Sequence, residues 1–318
     1  MAKCLKCNRQ SDTVGVQCSC GSYMVRDDCV EDSLHLLGQL IANKFVPISV
    51  ITDMPCSVTY DVYQPSVDRK LAMYVVKPTV MKHPELVKRF RQVAELYASI
   101  QQQNILTVFG IQEIPQLETV SVILEPRRGE PFPALYRSGS KIDPVMLMHI
   151  FHQILQGFSA CHMKSLTFPG FSMQNVWIAR SGGDSSSVKL FGIFDANLHQ
   201  APLSHTMLDD VYQIGMLALS CLTGKPMPVS QVELPEEWAF LQPIAQIFMR
   251  AIAPPEQRYQ SCVELLYAFE AVFELNMRVP DNRPVLLPDA SQVRIEETHA
   301  PVTLEQIVWM HRPPQREN

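Results

Sequence analysis

The sequence predicts an α+β fold with a two-lobed domain at 31–276, strand-rich over about residues 45–125 and helical over about 130–276, between a small cysteine-paired module at 1–30 and a proline-rich tail at 277–318. Three observations carry this reading. Alternating strand patterns crowd the first half, helical spacings of apolar residues fill the second, and two close cysteine pairs open the chain.

Composition narrows the function classes. At 318 residues, 47% hydrophobic and 19% charged, the chain is expected to be a soluble globular protein with ample core. Its apolar runs, such as 214–219, fall far short of the ~20 residues that a membrane span needs. A formal charge of −5 leaves no basic footprint for nucleic acid or acidic membranes. The opening MAKCLKC lacks the layout of a signal peptide, so the nine cysteines are expected in a reducing cytoplasm, as thiols or metal ligands and not as a disulfide framework.

In the first module, the Cys-x-x-Cys turn of Cys4 and Cys7 aims two thiolates at one point, and Cys18 and Cys20 complete a tetrahedral set. The one-residue spacing of the second pair leaves Cys29 as an alternative ligand. Four thiolates leave no open position for substrate, so the expected metal is a structural zinc in a ribbon-like module.

Through the first lobe, FVPISVI, SVTYDVY and KLAMYVV read as strands between turn residues. Leu86, Phe90, Val93, Tyr97 and Ile100 then share one helical face, and ILTVFGI and VSVIL return to strand. The second lobe opens on Asp143 as N-cap with Pro144 at the first helical position, followed by Leu147, Phe151, Ile154, Phe158 and Cys161 at helical spacing. NVWIAR, SGGDSSS and VKLFGIF read as a hairpin, and helical patterns at 210–222 and 261–275 finish the lobe. Prolines 280, 284, 288 and 301 punctuate the tail, which ends in a short helical candidate opened by a capping box at 303–306. There is no internal repeat.

Four of these stretches resemble protein kinases. DDVYQIGMLALSCLTGKPMP is similar to the family's Asp-x-Tyr-x-x-Gly helix, and PPEQRYQSCVELL to the Pro-Glu-x-Arg segment before its final helix. YQPSVDRKLAMYVVKP and PELVKRF match the corresponding parts of bacterial eukaryotic-like (Hanks-type) Ser/Thr kinases. The resemblance covers about residues 45–276 and implies a two-lobed protein kinase-like fold.

It also fixes where phosphoryl-transfer groups belong, and there this chain departs from the family. The glycine loop falls on Thr52, Met54 and Ser57, and the phosphate-anchoring lysine on Tyr74. Lys77 follows three residues later, which reverses the strand face it uses. The lysine's glutamate partner falls on Val93, with Glu95 about 200° around the helix. His-Arg-Asp falls on Phe168, Pro169 and Gly170; the loop asparagine is kept as Asn175. Asp-Phe-Gly falls on Gly192, Ile193 and Phe194, with Asp195 next. Only 17 residues separate Gly192 from Asp210, too few for the family's activation segment, so Arg258 is left to find a new partner or face solvent.

The resemblance then implies an inactive member, a pseudokinase expected not to be an enzyme and to need no ATP or magnesium, which acts as a scaffold or regulator by binding another protein. Asp210 is implied to hydrogen-bond the backbone of the catalytic loop, and Phe168, Ile193 and Tyr97 to form an inter-lobe apolar stack. Trp177 either turns inward to fill the adenine volume beside Tyr74 or packs aside and leaves a cleft. The ribbon and the tail residues Leu304, Ile307, Val308 and Trp309 are candidate partner surfaces, unless the tail packs on its own domain. Two rival functions stand: an atypical ATP-dependent kinase using Asp195, Asn175 and Lys77, and a nucleic-acid-binding ribbon using Lys3, Lys6 and Arg9.

Overall fold

The structure, a computed structural model, describes residues 1–26, 32–133, 143–180, 186–192, 194, 205–223, 234 and 236–277. Cys29, Asp195 and the tail helix candidate Leu304 to Trp309 lie outside them. The N-terminal cysteines ride on a three-stranded antiparallel sheet of β1 (Ala2–Cys4), β2 (Gln10–Ser11) and β3 (Met24–Arg26), ordered β2-β1-β3.

The β-branched and aromatic runs of the first lobe form a five-stranded antiparallel sheet. Its members are β4 (Val46–Met54), β5 (Ser57–Gln64), β6 (Arg69–Val76), β7 (Val108–Ile114) and β8 (Thr119–Leu124), ordered β4-β5-β6-β8-β7. The pleat sorts these strands into two buried faces. Ala72, Tyr74, Val76, Val122 and Leu124 point to the helices, while Val58, Tyr60, Val62, Met73 and Val75 form an outer core.

That outer core needs a cover, and residues 32–45 supply it. Leu36, Leu37, Ile41 and Phe45 lie over it together with Val25 of β3. Asp32 anchors the cover by accepting the Leu34 and Leu37 N–H groups at 3.1 and 2.9 Å and the Tyr60 hydroxyl. Each such side chain fully buried contributes ~1.5–3 kcal/mol. Residues 32–45, which precede the expected strands of the lobe, are therefore part of its packing.

Two helices follow β6, α1 (Pro78–Met81) and α2 (Pro84–Ala98), each with proline in its first turn. Phe90, Val93, Ala94 and Tyr97 of α2 are buried against the inner sheet face. The second lobe is built around α3 (Pro144–His162), whose Asp143 cap accepts the Met146 N–H at 3.1 Å. A sheet ordered β11-β10-β9 joins β9 (Glu130–Pro131), β10 (Val176–Arg180) and β11 (Ser186–Leu190). The hairpin ladder stops at Leu190, short of the expected strand end, because Gly192 at φ +90° turns the chain away.

The remaining helices are α4 (Met207–Thr223), α5 (Gln242–Ala251) and α6 (Cys262–Met277). The sequence reading passes over α5, although Pro243 in its first turn and buried Ile244, Ile247, Phe248 and Ala251 give it a sound helical face. Among the described residues no helix is long and apolar enough to cross a membrane.

The lobes meet along β11. Asn104, buried, donates to the Val188 carbonyl at 2.9 Å and to Gln153 at 3.0 Å, and its carbonyl accepts the Leu190 N–H at 2.8 Å. Lys189 reaches Glu125, at the end of the sheet, at 2.6 Å.

Candidate functional site at the lobe junction

Inward-facing Tyr74 carries its ring to the junction, where four buried aromatics from β6, α2 and the chain beyond β11 converge. Tyr74 stacks on Phe90 with ring centres 5.9 Å apart; Phe194 packs 5.4 Å from Tyr74, 5.9 Å from Phe90 and 5.2 Å edge-on from Tyr97. Aromatic pairs of this kind contribute about 0.5–1.5 kcal/mol beyond the area they bury. Between Tyr74, Tyr97, Leu106, Leu124, Phe191 and Phe194 a cavity of about 10 Å³ remains, at the limit for one water. Val93 lies in the same core, and Glu95 is exposed. Burial pushes the Tyr97 phenol well above its usual pKa.

The expected composition of the inter-lobe stack needs correction. Phe194, not Phe168, meets Tyr97, and Ile193 lies outside the described residues. Phe168 instead packs 5.8 Å from Phe158 and 5.3 Å from Phe171 within the helical lobe. Its backbone holds it there: the Phe168 N–H donates to both carboxylate oxygens of Asp210, at 3.1 and 2.9 Å.

Asp210 is fully buried in the first turn of α4, where the helix N-terminus favours an anion. His162, at the end of α3, accepts the Cys262 N–H at Nδ1 (2.9 Å), so its Nε2 carries the proton and donates to Asp210 at 3.0 Å. His205 Nε2 lies 2.8 Å from the other oxygen. Burial, then the Asp210 charge, push the Cys161 thiol up to about 12. One carboxylate thus ties α3, the 168–170 loop, α4 and the start of α6 together. The two histidines are absent from the sequence reading. A histidine in a helix's last turn does not advertise a partner 48 residues away.

Asn175 spends its side-chain oxygen locally, accepting Ser172 N–H at 2.8 Å and Ser172 hydroxyl at 3.2 Å. Its amide nitrogen closes over Gly192, where an added Cβ would stand 2.6 Å from it. Gly170 also sits at positive φ, +70°. Gly192→Asp, which would install the family's carboxylate, meets both the clash and the left-handed backbone. The expected cost is about 1–3 kcal/mol in chemical denaturation. A variant as stable as the parent would show that Asn175 and the loop give way freely.

Lys77 Nζ bonds Asp53 at 2.6 Å, at the hairpin that carries Thr52, Met54 and Ser57. Asp53 also accepts the Ser33 N–H at 3.2 Å. Burial opposes the Asp53 charge, but Lys77 and Ser33 outweigh it and hold its pKa below the usual carboxylate range. A depressed pKa gives stability that is present above the unfolded value, near 3.9, and is lost as pH falls through the folded value. Asp53→Asn should therefore cost about 0.5–1 kcal/mol at pH 7 and almost nothing near pH 2. Urea melts at the two pH values read the difference; equal costs would mean that the ion pair is not the source.

Trp177 is half-buried, with the Arg127 guanidinium 4.0 Å from its ring centre and Phe191 6.1 Å away. Its indole thus lies under the segment linking the lobes, outside the residual cavity. Arg127, another residue the sequence reading omits, has its pKa lowered by burial. Arg258 finds new partners: it donates to the carbonyls of Leu208 at 2.9 Å and Ala253 at 3.0 Å and covers the Tyr212 ring.

In the N-terminal module, the thiols of Cys4, Cys7, Cys18 and Cys20 all lie within 4.8 Å of one another. Burial opposes the Cys4 thiolate, but the N–H groups of Cys7 and Lys6 and the Cys20 thiol bring its pKa down to about 6. The Arg9 N–H favours a thiolate at Cys7, yet the crowding thiols raise it to about 11.

A five-stranded sheet with one long helix, joined along a hairpin to a helical lobe, defines the protein kinase domain fold, and comparison with solved structures bears this out. The PknI kinase domain of Mycobacterium tuberculosis, as a double mutant, superposes with a TM-score of 0.57 at 20% identity, over 74% of this chain and 98% of that one. By sequence the chain is similar to the serine/threonine-protein kinase Pkn1 of Myxococcus xanthus, 21% identical over 67% of this chain and 36% of that protein. It is also similar to the serine/threonine-protein kinase PrkC of Bacillus subtilis, 19% identical over 81% of this chain and 45% of that protein. The chain therefore spans less than half the length of these two relatives. No protein-family model matches it. The expectation that the chain is not an enzyme is overturned here: its named relatives are Ser/Thr protein kinases and its structural neighbours are kinase domains, which points to an enzyme.

Proposed function

We propose that this chain serves in signalling of the Ser/Thr kinase type by binding another protein, with its two lobes held in one arrangement as a platform. The observation that carries this reading is the Tyr74, Phe90, Tyr97 and Phe194 stack, which joins the lobes through the chain's own side chains. The four-cysteine module, a zinc ribbon in this reading, and the tail around Leu304, Ile307, Val308 and Trp309 are the surfaces offered to the partner. The charge of −5 argues against nucleic acid as that partner.

A second reading, phosphoryl transfer to a protein hydroxyl, is favoured by the names of the relatives. Catalysis of that kind rests on positioning and charge, and Asn175, Lys77 and Asp195 are the groups in this chain nearest to the family's pattern. It requires the Lys77–Asp53 pair and the aromatic stack to open.

The test is two assays on the whole chain. Affinity for a captured protein partner is measured with and without Mg-ATP, and phosphate incorporation from labelled ATP is followed in the parent and in Asn175→Ala and Asp195→Ala variants. Nucleotide-independent capture, unaltered by either substitution, is the expected result. A chain that captures no protein would overturn the platform reading, and phosphate incorporation that either substitution removes would establish phosphotransfer beside it.

A further inference from the structure

We propose that Cys4, Cys7, Cys18 and Cys20 bind one Zn²⁺, and that this ion is the core of residues 1–26 and pins them to the outer face of the five-stranded sheet. The geometry carries the ligand set. Cys4 and Cys20 sulfurs are 3.4 Å apart and those of Cys7 and Cys18 3.5 Å, with all four within 4.8 Å. Four sulfurs placed tetrahedrally about 2.3 Å from one zinc stand about 3.8 Å from each other. A disulfide needs about 2.05 Å, so either pair would have to close further.

The backbone presents the thiols as two similar turns. In the first, Cys4 N–H donates to the Arg9 carbonyl and the Cys4 carbonyl accepts the Asn8 N–H, each at 2.8 Å, with Asn8 at φ +57°. In the second, Cys18 N–H donates to the Ser22 carbonyl at 2.7 Å and the Cys18 carbonyl accepts the Gly21 N–H at 2.9 Å, with Gly21 at φ +89°. Lys6 and Arg9 of one turn donate to the Cys20 carbonyl and the Ser19 hydroxyl of the other. The left-handed residue closing each turn lets the chain fold back so that both cysteines of the pair face inward.

Little else holds this module together. Its apolar cluster is Ala2, Cys4, Cys18 and Met24, with Val14 and Cys20 at the edge, so two of its four buried members are themselves thiols. Modules of this size rarely fold on a hydrophobic core alone and need a metal or disulfides. The consequence reaches the kinase fold. Val25 belongs to the outer core of the sheet, Gly15 lies against the Tyr63 ring, Tyr23 N–H and Ser22 hydroxyl bond the Gly38 carbonyl, and Arg26 stands 3.9 Å from Asp61. The metal site stands whatever the lobes do in signalling.

The experiment uses the whole chain. Metal content of the purified protein is measured by mass spectrometry of the elements, with release by a thiol-specific mercurial followed in the same sample. Zinc is then exchanged for Co²⁺ and the visible spectrum recorded. One zinc per chain, released by the mercurial, with a Co²⁺ spectrum of a tetrahedral four-sulfur site, is expected. Cys4→Ser with Cys20→Ser should abolish it and raise hydrogen exchange in 1–26, Tyr23 included, while the 46–124 strands stay protected. A chain without zinc that takes up no Co²⁺, a Co²⁺ spectrum with nitrogen or oxygen ligands, or a mass lowered by two disulfides would each overturn the proposal. These parent-protein readouts decide it even where the double variant fails to fold.

Discussion

Asp210→Ala is expected to cost about 3–5 kcal/mol of folding stability, because it removes one partner from a buried charged network. Three donors then lose their acceptor at once: the Phe168 N–H and the Nε2 groups of His162 and His205. Two of the three cannot turn to solvent, since Phe168 and His162 are buried, whereas His205 is half-buried. Asp210→Asn is informative because it keeps the size. Its amide presents one oxygen to three surrounding donors and turns its own NH₂ group against the rest, so it too should cost well over 1 kcal/mol, the price of a buried donor left unsatisfied. Urea denaturation gives the total, and hydrogen exchange at Phe168 and Cys262 locates it. A loss below about 1 kcal/mol in the alanine variant would mean that the network carries little of the helical lobe's stability.

Phe194→Ala should cost a similar amount, about 3–5 kcal/mol, the usual range for removing a buried phenylalanine. The ring contacts Tyr74, Phe90 and Tyr97 together, and the cavity beside it already exists, so truncation enlarges a void that the sheet and α2 cannot easily collapse. The loss should appear first as faster exchange in β6 and α2, with α3 and α6 less affected. Phe194→Leu, which keeps most of the volume, should recover the larger part of it. Uniform loosening of both lobes would instead place Phe194 in the general core.

Much of the fold is legible before any coordinates. The apolar spacing on α2, the Asp143-Pro144 start of α3 and the period-two strands each follow from a local rule, and α2 buries Phe90, Val93 and Tyr97 on one face. The cover over the outer sheet face is less legible, because Leu34, Leu36, Leu37, Ile41 and Phe45 have no helical or strand period to announce them. The site divides the same way. Motif spacing identifies Tyr74, Gly192 and Asp210 as the positions to inspect. It does not say that Phe194 enters the stack, a placement set by how the chain turns at Gly192. Nor does it pair His162 with Asp210 or Arg127 with Trp177, contacts set by long-range packing.

On the platform proposal, Tyr74, Phe90, Tyr97 and Phe194 hold the lobe junction closed to nucleotide. Chemical denaturation of the parent and of Phe194→Ala, each with and without Mg-ATP, tests it most directly. The account predicts that Mg-ATP leaves the parent's stability unchanged while Phe194→Ala alone lowers it. A parent stabilised by ~2.7 kcal/mol, the gain for a ligand at 100 times its Kd, would contradict it and show nucleotide entering a junction that has opened.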